Sequence, residues 1–229
     1  MALGRSAVGL AVMIIDIRRS VQRSDVRANL RRLMEDLQSA APGAFLQIAW
    51  GDEIEGILPV PTDLWEIYVR ARRSLGDVPF YMGVGFGDVA EDPLPSAPVS
   101  VHEINGTAFK AARWALERAK GPNLTSIALA FQVFGDASLT VALNGYPLML
   151  NVGIGQMTPK QRLYFDDLVL GCSHTAIAVR HGVRQPTVSK ALRMAGADQL
   201  VCMREGLGAL LTFVADHVKW GTQGQETTS

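Results

Sequence analysis

The chain lacks most of the residues on which common small-domain chemistries depend. Only two cysteines, Cys172 and Cys202, occur among its 229 residues, and neither belongs to a CxxC pair. A disulfide framework is excluded, and the plain expectation is two reduced thiols in a cytoplasmic protein. The four histidines (His102, His174, His181 and His217) have no zinc spacing; His174 and His181 share a helix face, but no third ligand is near. There is no Walker loop, no Rossmann fingerprint and no serine nucleophile elbow. Net charge is missing too, since 22 Lys+Arg offset 22 Asp+Glu. No global field draws in nucleic acid or an anionic membrane, so a charge-driven partner must be met by a local patch.

Long apolar runs are also lacking. Residues 7–15 are apolar but are followed at once by Asp16, Arg18 and Arg19, which suits a buried strand better than a signal-peptide core. Residues 127–152 approach the roughly 20 residues of a membrane span. Gly135-Asp136 and Asn144-Gly145-Tyr146-Pro147 interrupt them, which would leave backbone groups unpaired in lipid. No membrane partner is expected.

What is present is a globular composition, 48% hydrophobic and 19% charged. That rules out disorder, and the length suits two modest domains. The first half alternates between strand and helix signals. An apolar strand at residues 8–17 precedes a helix capped by Ser24 and running to about Ser39, with Val26, Leu30, Leu33 and Leu37 at helical spacing. Its Arg23, Arg27 and Arg31 read as a solvated face. Residues 45–50 and 54–60, separated by Gly51-Asp52-Glu53, form a hairpin. A helix over 63–75 turns Leu64, Ile67, Tyr68 and Ala71 inward. The strand at 80–89 sets Gly83, Gly85 and Gly87 on one face, allowing close approach of a backbone or a ligand. A helix over 106–120 and a strand within 124–134 complete an α+β unit. This order predicts a ferredoxin-like, antiparallel sheet with helices on one face.

From Asp136 onward only helix signals recur, and they predict an all-α domain. Asp136 caps a helix to about Leu150, and Thr158-Pro159 opens another, ending at Gly171. Ser173 caps a short helix to His181, Pro186-Thr187 begins a third to about Ala195, and residues 197–218 form the last. The expected division is 1–134, 135–221 and a frayed tail at 222–229.

The stretch from Ser173 to Leu192 resembles a helix-turn-helix. Ala176 is small where two helices would cross; Ile177, Val183, Val188 and Leu192 supply a core, and Gly182 permits the sharp turn. The second helix exposes Gln185, Thr187, Ser189, Lys190 and Arg193, side-chain types that contact phosphates and base edges. Arg180, Arg184, Lys190 and Arg193 are unopposed by any acid between His174 and Met194. In a chain of zero net charge this local excess points to double-stranded DNA, with Arg184, Gln185, Thr187, Ser189, Lys190 and Arg193 as the contacting set. The bland alternative is a helical hairpin used only for packing or dimerisation.

In the first half, Asp16 follows an apolar run and Asp52 sits at a hairpin tip. If strand and hairpin are neighbours, both carboxylates can converge on one Mg²⁺ or Mn²⁺. The alternative is that both merely satisfy turn amides and that Arg113 pairs with Glu117 one helical turn on. Around them stand Ile-Ile-Asp-Ile-Arg-Arg-Ser20, Trp-Gly-Asp-Glu-Ile-Glu-Gly-Ile-Leu58, Met-Gly-Val-Gly-Phe-Gly87 and Asn-Gly-Thr-Ala-Phe-Lys-Ala-Ala-Arg113, in that order. This series resembles the SatD-like family, a palm-type domain related to class III nucleotidyl cyclases followed by a helix-turn-helix. The resemblance implies metal ligation by Asp16, Asp52 and the main-chain carbonyl of Ile17. It also implies a nucleotide held near Arg18, Arg19 and Ser20, with Arg113 as a phosphate clamp. The cyclase pattern carries an Asn four residues before that Arg, and here Phe109 occupies the position. The adenine-reading Lys of cyclases has no counterpart before Gly51. Phosphoryl transfer depends on positioning and charge neutralisation, so these losses argue against catalysis. The expectation is a DNA-binding transcriptional regulator whose cyclase-like domain dimerises and binds a nucleotide with a divalent metal. The alternative is a metal-dependent nucleotide-processing enzyme with a regulatory helix-turn-helix.

Overall fold

The computed structural model describes residues 10–17, 25–49, 53–60, 62–76, 78–89, 106–121 and 128–217. Arg18, Arg19, Ser20 and Asp52 lie outside the described residues, as do Ser24 and the polar tail. The element order is β1 (Leu10–Ile17), α1 (Asp25–Ala40), β2 (Phe45–Ile48), β3 (Glu53–Pro59), α2 (Leu64–Leu75), β4 (Phe80–Phe86), α3 (Thr107–Ala119) and β5 (Leu129–Val133). The helical half follows as α4 (Ala137–Gly155), α5 (Pro159–Val169), α6 (His174–Arg180), α7 (Gln185–Met194) and α8 (Ala197–His217).

The five strands lie in the order β2-β3-β1-β4-β5. β1 is central and pairs antiparallel with both β3 and β4, which explains its run of fully buried Ala11 to Ile15. Two expectations need correction. The sheet is mixed, because β5 runs parallel to β4. The helix α3 connects these two strands as a crossover, and a crossover of that length returns the chain in the same direction. The helices also cover both faces. Leu30, Leu33 and Leu37 of α1, with Trp65 and Ile67 of α2, join Met13, Ile15 and Ile54 in one core. On the opposite face, Ala108, Ala112 and Leu116 of α3 pack against Val12, Ile14 and Ile57.

The glycine series on β4 is explained by α3. A Cβ at Gly83 would strike the backbone of Leu116 and Ala112, and one at Gly85 the backbone of Ala112 and Ala108. With alanines at 108, 111, 112 and 115 buried on the facing helix, two small surfaces meet at backbone contact. The close neighbour is a helix.

The outer edge of β5 is closed by side chains of α4. Asn144 Oδ1 accepts from the Phe131 amide (3.0 Å) and its Nδ2 donates to the Phe131 carbonyl (2.7 Å). Thr140 Oγ1 accepts from the Val133 amide at 2.9 Å. Both side chains are buried, so α4 satisfies a strand edge that would otherwise offer unpaired backbone groups. The core is continuous across this junction, since Leu143, Leu150 and Leu207 belong to the same cluster as β1 and β5. Among the described residues no helix is long and apolar enough to cross a membrane.

Candidate functional site

Local signals build the helical pair α6 and α7. Thr158 forms a capping box with Gln161, and Pro159 stands at the start of α5. Ser173 Oγ accepts from the Ala176 amide at 3.2 Å and starts α6. Gly182 adopts φ +63°, and the Val183 amide reaches the Ala178 carbonyl at 3.0 Å, so the chain reverses within one turn. Ile177, Val188 and Leu192 are buried between α6 and α7, with Val183 half-buried beside them. The small buried residue is Ala178; Ala176 is exposed, which corrects the expectation for the crossing point. Gln161 Nε2 donates to the Ala191 carbonyl (3.2 Å), fixing α7 to α5.

The outward face of α7 presents Arg184, Gln185, Thr187, Lys190 and Arg193, all exposed. Among the described residues none of the cations Arg184, Lys190 and Arg193 has a carboxylate within ion-pair distance. Ser189 is half-buried, and its hydroxyl contacts His174 Nδ1 (2.8 Å) and Gln185 Nε2 (2.9 Å). It therefore orients α6 and Gln185 within this surface.

Arg180 behaves differently. It pairs with Asp167 of α5, a carboxylate that is 1% exposed and also takes Arg73 Nη1 (2.6 Å) and His181 Nε2 (2.7 Å). Burial works to raise the Asp167 pKa, but hydrogen bonds from His181 and Arg73 and the charges of Arg73 and Arg180 outweigh it and hold it below the ordinary carboxylate value. Its neighbour Asp166 pairs with Arg72, yet burial dominates there and pushes its pKa up. At the other end of α2, Asp63 caps the helix through the Glu66 amide (2.9 Å) and accepts from Arg204 Nε of α8 (2.6 Å). Both ends of α2 are thus tied by ion pairs to the helical half. Sequence reasoning missed this hub because its partners are 94 residues apart in the chain and no local pattern joins them.

The acidic end of the sheet is also ordered by long-range pairs. Asp16, near the end of β1, stands opposite Glu53 of β3 and Tyr81 of β4. Asp52 precedes Glu53 directly. Lys120, just after α3, reaches Asp16 Oδ2 at 2.7 Å and Glu117 Oε1 at 3.1 Å. Burial opposes its charged form, but these two partners prevail and raise its pKa. Arg113 donates through Nη1 to both Glu53 oxygens (2.9 Å each) and through Nη2 to Glu55 Oε1 (2.7 Å). Its partner is therefore not Glu117. Glu53 and Glu55 share the face covered by α3. Phe109, in the position where cyclases carry Asn, is half-buried against the Val12 and Ile14 cluster. Among the described residues no group of three His, Cys, Asp or Glu side chains is arranged to hold a metal ion.

No protein-family model matches the chain, and no curated protein matches it. A solved structure described as a regulator of polyketide synthase expression from Bifidobacterium adolescentis is similar over 89% of this chain and 86% of that one, with 11% identity and a TM-score of 0.28. The SatD-like and cyclase-like resemblance therefore rests on the sequence motifs.

Proposed function

We propose that the protein is a DNA-binding transcriptional regulator, with α6 and α7 as a helix-turn-helix docking on double-stranded DNA in the cytoplasm. The observation that carries this reading is the set of three exposed cations on α7 (Arg184, Lys190 and Arg193), without carboxylate partners among the described residues. Gln185 and Thr187 beside them supply hydrogen-bonding groups for base edges. The first four strands, in the order β2-β3-β1-β4, suit the palm-type, ferredoxin-like arrangement that the motifs imply. A homodimer reading a two-fold operator completes the proposal. The candidate dimer surface is helix α4 of the helical half, in place of the cyclase-like domain expected to dimerise, because α4 carries no charged residue and exposes Val141, Leu148, Met149 and Val152.

The enzyme alternative has less support. Arg113 is engaged by Glu53 and Glu55, and Lys120 by Asp16, so neither cation is free for phosphate. Regulatory binding of a nucleotide with Mg²⁺ or Mn²⁺ at Asp16, the Ile17 carbonyl and Asp52, beside Arg18, Arg19 and Ser20, stays within the proposal. It requires the metal to displace Lys120 from Asp16. Binding to duplex DNA across a salt series tests the main reading. Affinity falls steeply with salt in the native protein, and Lys190→Ala with Arg193→Ala weakens it. Binding indifferent to salt and to both substitutions would remove the reading.

A further inference from the structure

Where α2 meets α5, a cleft of about 600 Å³ is lined by Arg72, Arg73, Gly76, Met157, Pro159, Arg162, Leu163 and Asp166. Its size is that of a small-molecule site, and it lies at the junction of the two halves, where such sites concentrate. Its charge is unbalanced. Its lining sets Arg72, Arg73 and Arg162 against the single carboxylate of Asp166, while Asp167, the partner of Arg73, is shared with Arg180. Arg162 donates Nη2 to the Ile154 carbonyl (3.1 Å) and has no carboxylate within ion-pair distance among the described residues. The Nε atoms of Arg72 and Arg162 are buried and have no hydrogen-bond partner among the described residues, so part of the donor capacity of both guanidiniums is unfilled there. Beside this cationic wall stand Met157, Pro159 and the exposed Leu163, an apolar wall with no charge.

We propose that this cleft binds a small organic carboxylate with an apolar body, its anionic head on Arg162, with the half-exposed Arg73 turning from Asp167 to join it, and its body against Met157, Pro159 and Leu163. A carboxylate matches the planar fork of a guanidinium, and its charge offsets the local excess of cations. The site also has a built-in readout. Arg73 of α2 shares Asp167 with Arg180 and His181 at the end of α6, so an anion that draws Arg73 toward the cleft removes the α2 tie to Asp167 and changes the charge balance at the two ties that hold α6 to α5. This coupling to DNA rests on the reading above; the binding itself does not.

The test is titration calorimetry of the full chain with 4-phenylbutyrate, with uncharged 4-phenylbutanol and inorganic phosphate as controls. The expected result is saturable binding of the carboxylate, at least tenfold tighter than either control. Arg162→Gln and Leu163→Glu each weaken it at least tenfold, the second placing an anion at an exposed position where folding is not at risk. Absent saturation, equal affinity for the alcohol or for phosphate, or indifference to both substitutions would overturn the site. Duplex-DNA affinity measured with and without saturating 4-phenylbutyrate then tests the coupling, which predicts a change of at least threefold; unchanged affinity overturns it. Failure of DNA binding alone leaves the calorimetric result standing.

Discussion

Two surfaces of this protein carry clustered cations, and they use them in opposite ways. Under α3, Arg113 and Lys120 close onto Glu53, Glu55 and Asp16, so their charge is consumed within the fold. On α7, Arg184, Lys190 and Arg193 stand exposed with no such partner among the described residues. An engaged guanidinium must break existing hydrogen bonds to bind phosphate, whereas an exposed one exchanges only water and counterions. Residue type alone does not separate the two cases; the distribution of nearby carboxylates does. Arg180 makes the point within one helical pair, since it lies in the basic stretch of α6 and α7 yet is committed to Asp167.

The largest effect that would break this contrast comes from removing the carboxylate that engages Arg180. Asp167→Asn leaves Arg73 and Arg180 without their shared anion and is expected to cost about 3 kcal/mol in urea unfolding, at the low end for a buried pair because both arginines reach solvent. Its pH dependence carries a sign. The folded pKa of Asp167 lies below the ordinary 3.8, so its stabilisation is complete above that value and is lost as pH falls through the lower folded pKa. The Asn variant should lack that acid limb. Asp166 works the other way, because its folded pKa is raised and its protonation on acidification favours the fold. Asp166→Asn should therefore be the milder change of the two in the same assay.

Next in size is Gly85→Ala. The added methyl meets the backbone of α3, and lifting that helix would also pull Arg113 and Lys120 off their carboxylates. A loss of about 2 kcal/mol by chemical denaturation is expected. The smallest effect belongs to Lys120→Gln, which removes a partly exposed pair and should change stability by less than about 1 kcal/mol. It sharpens the comparison through metal binding. If Asp16 is a ligand, Mn²⁺ affinity measured by calorimetry rises in the variant, while unchanged affinity argues that Asp16 serves only the ion pair.

Features encoded by local chemistry were legible in the sequence. Asp136, Thr158 and Ser173 all act as the caps their residue types announce, and Gly182 takes the positive φ its turn needs. The inward positions Leu64, Ile67, Tyr68 and Ala71 follow from helical spacing, and all four are buried. Features that depend on distant partners were not legible. The parallel pairing of β5, the second helical layer and the choice of α3 as the neighbour of Gly83 and Gly85 are set by topology rather than by any window of residues. The commitment of Arg113 to Glu53 and Glu55 belongs to the same class, since 60 and 58 residues separate the partners. At the acidic end, Asp16 could be named from its place after an apolar run, but its engagement by Lys120 could not.

The division between consumed and available charge is tested most directly by the slope of log affinity against log salt for duplex DNA, compared among the native protein, Arg193→Gln and Arg180→Gln. Loss of one phosphate contact reduces that slope by about 0.9. The account predicts this reduction for Arg193→Gln and none for Arg180→Gln. Equal slopes in all three proteins, or a reduction in Arg180→Gln alone, would contradict it.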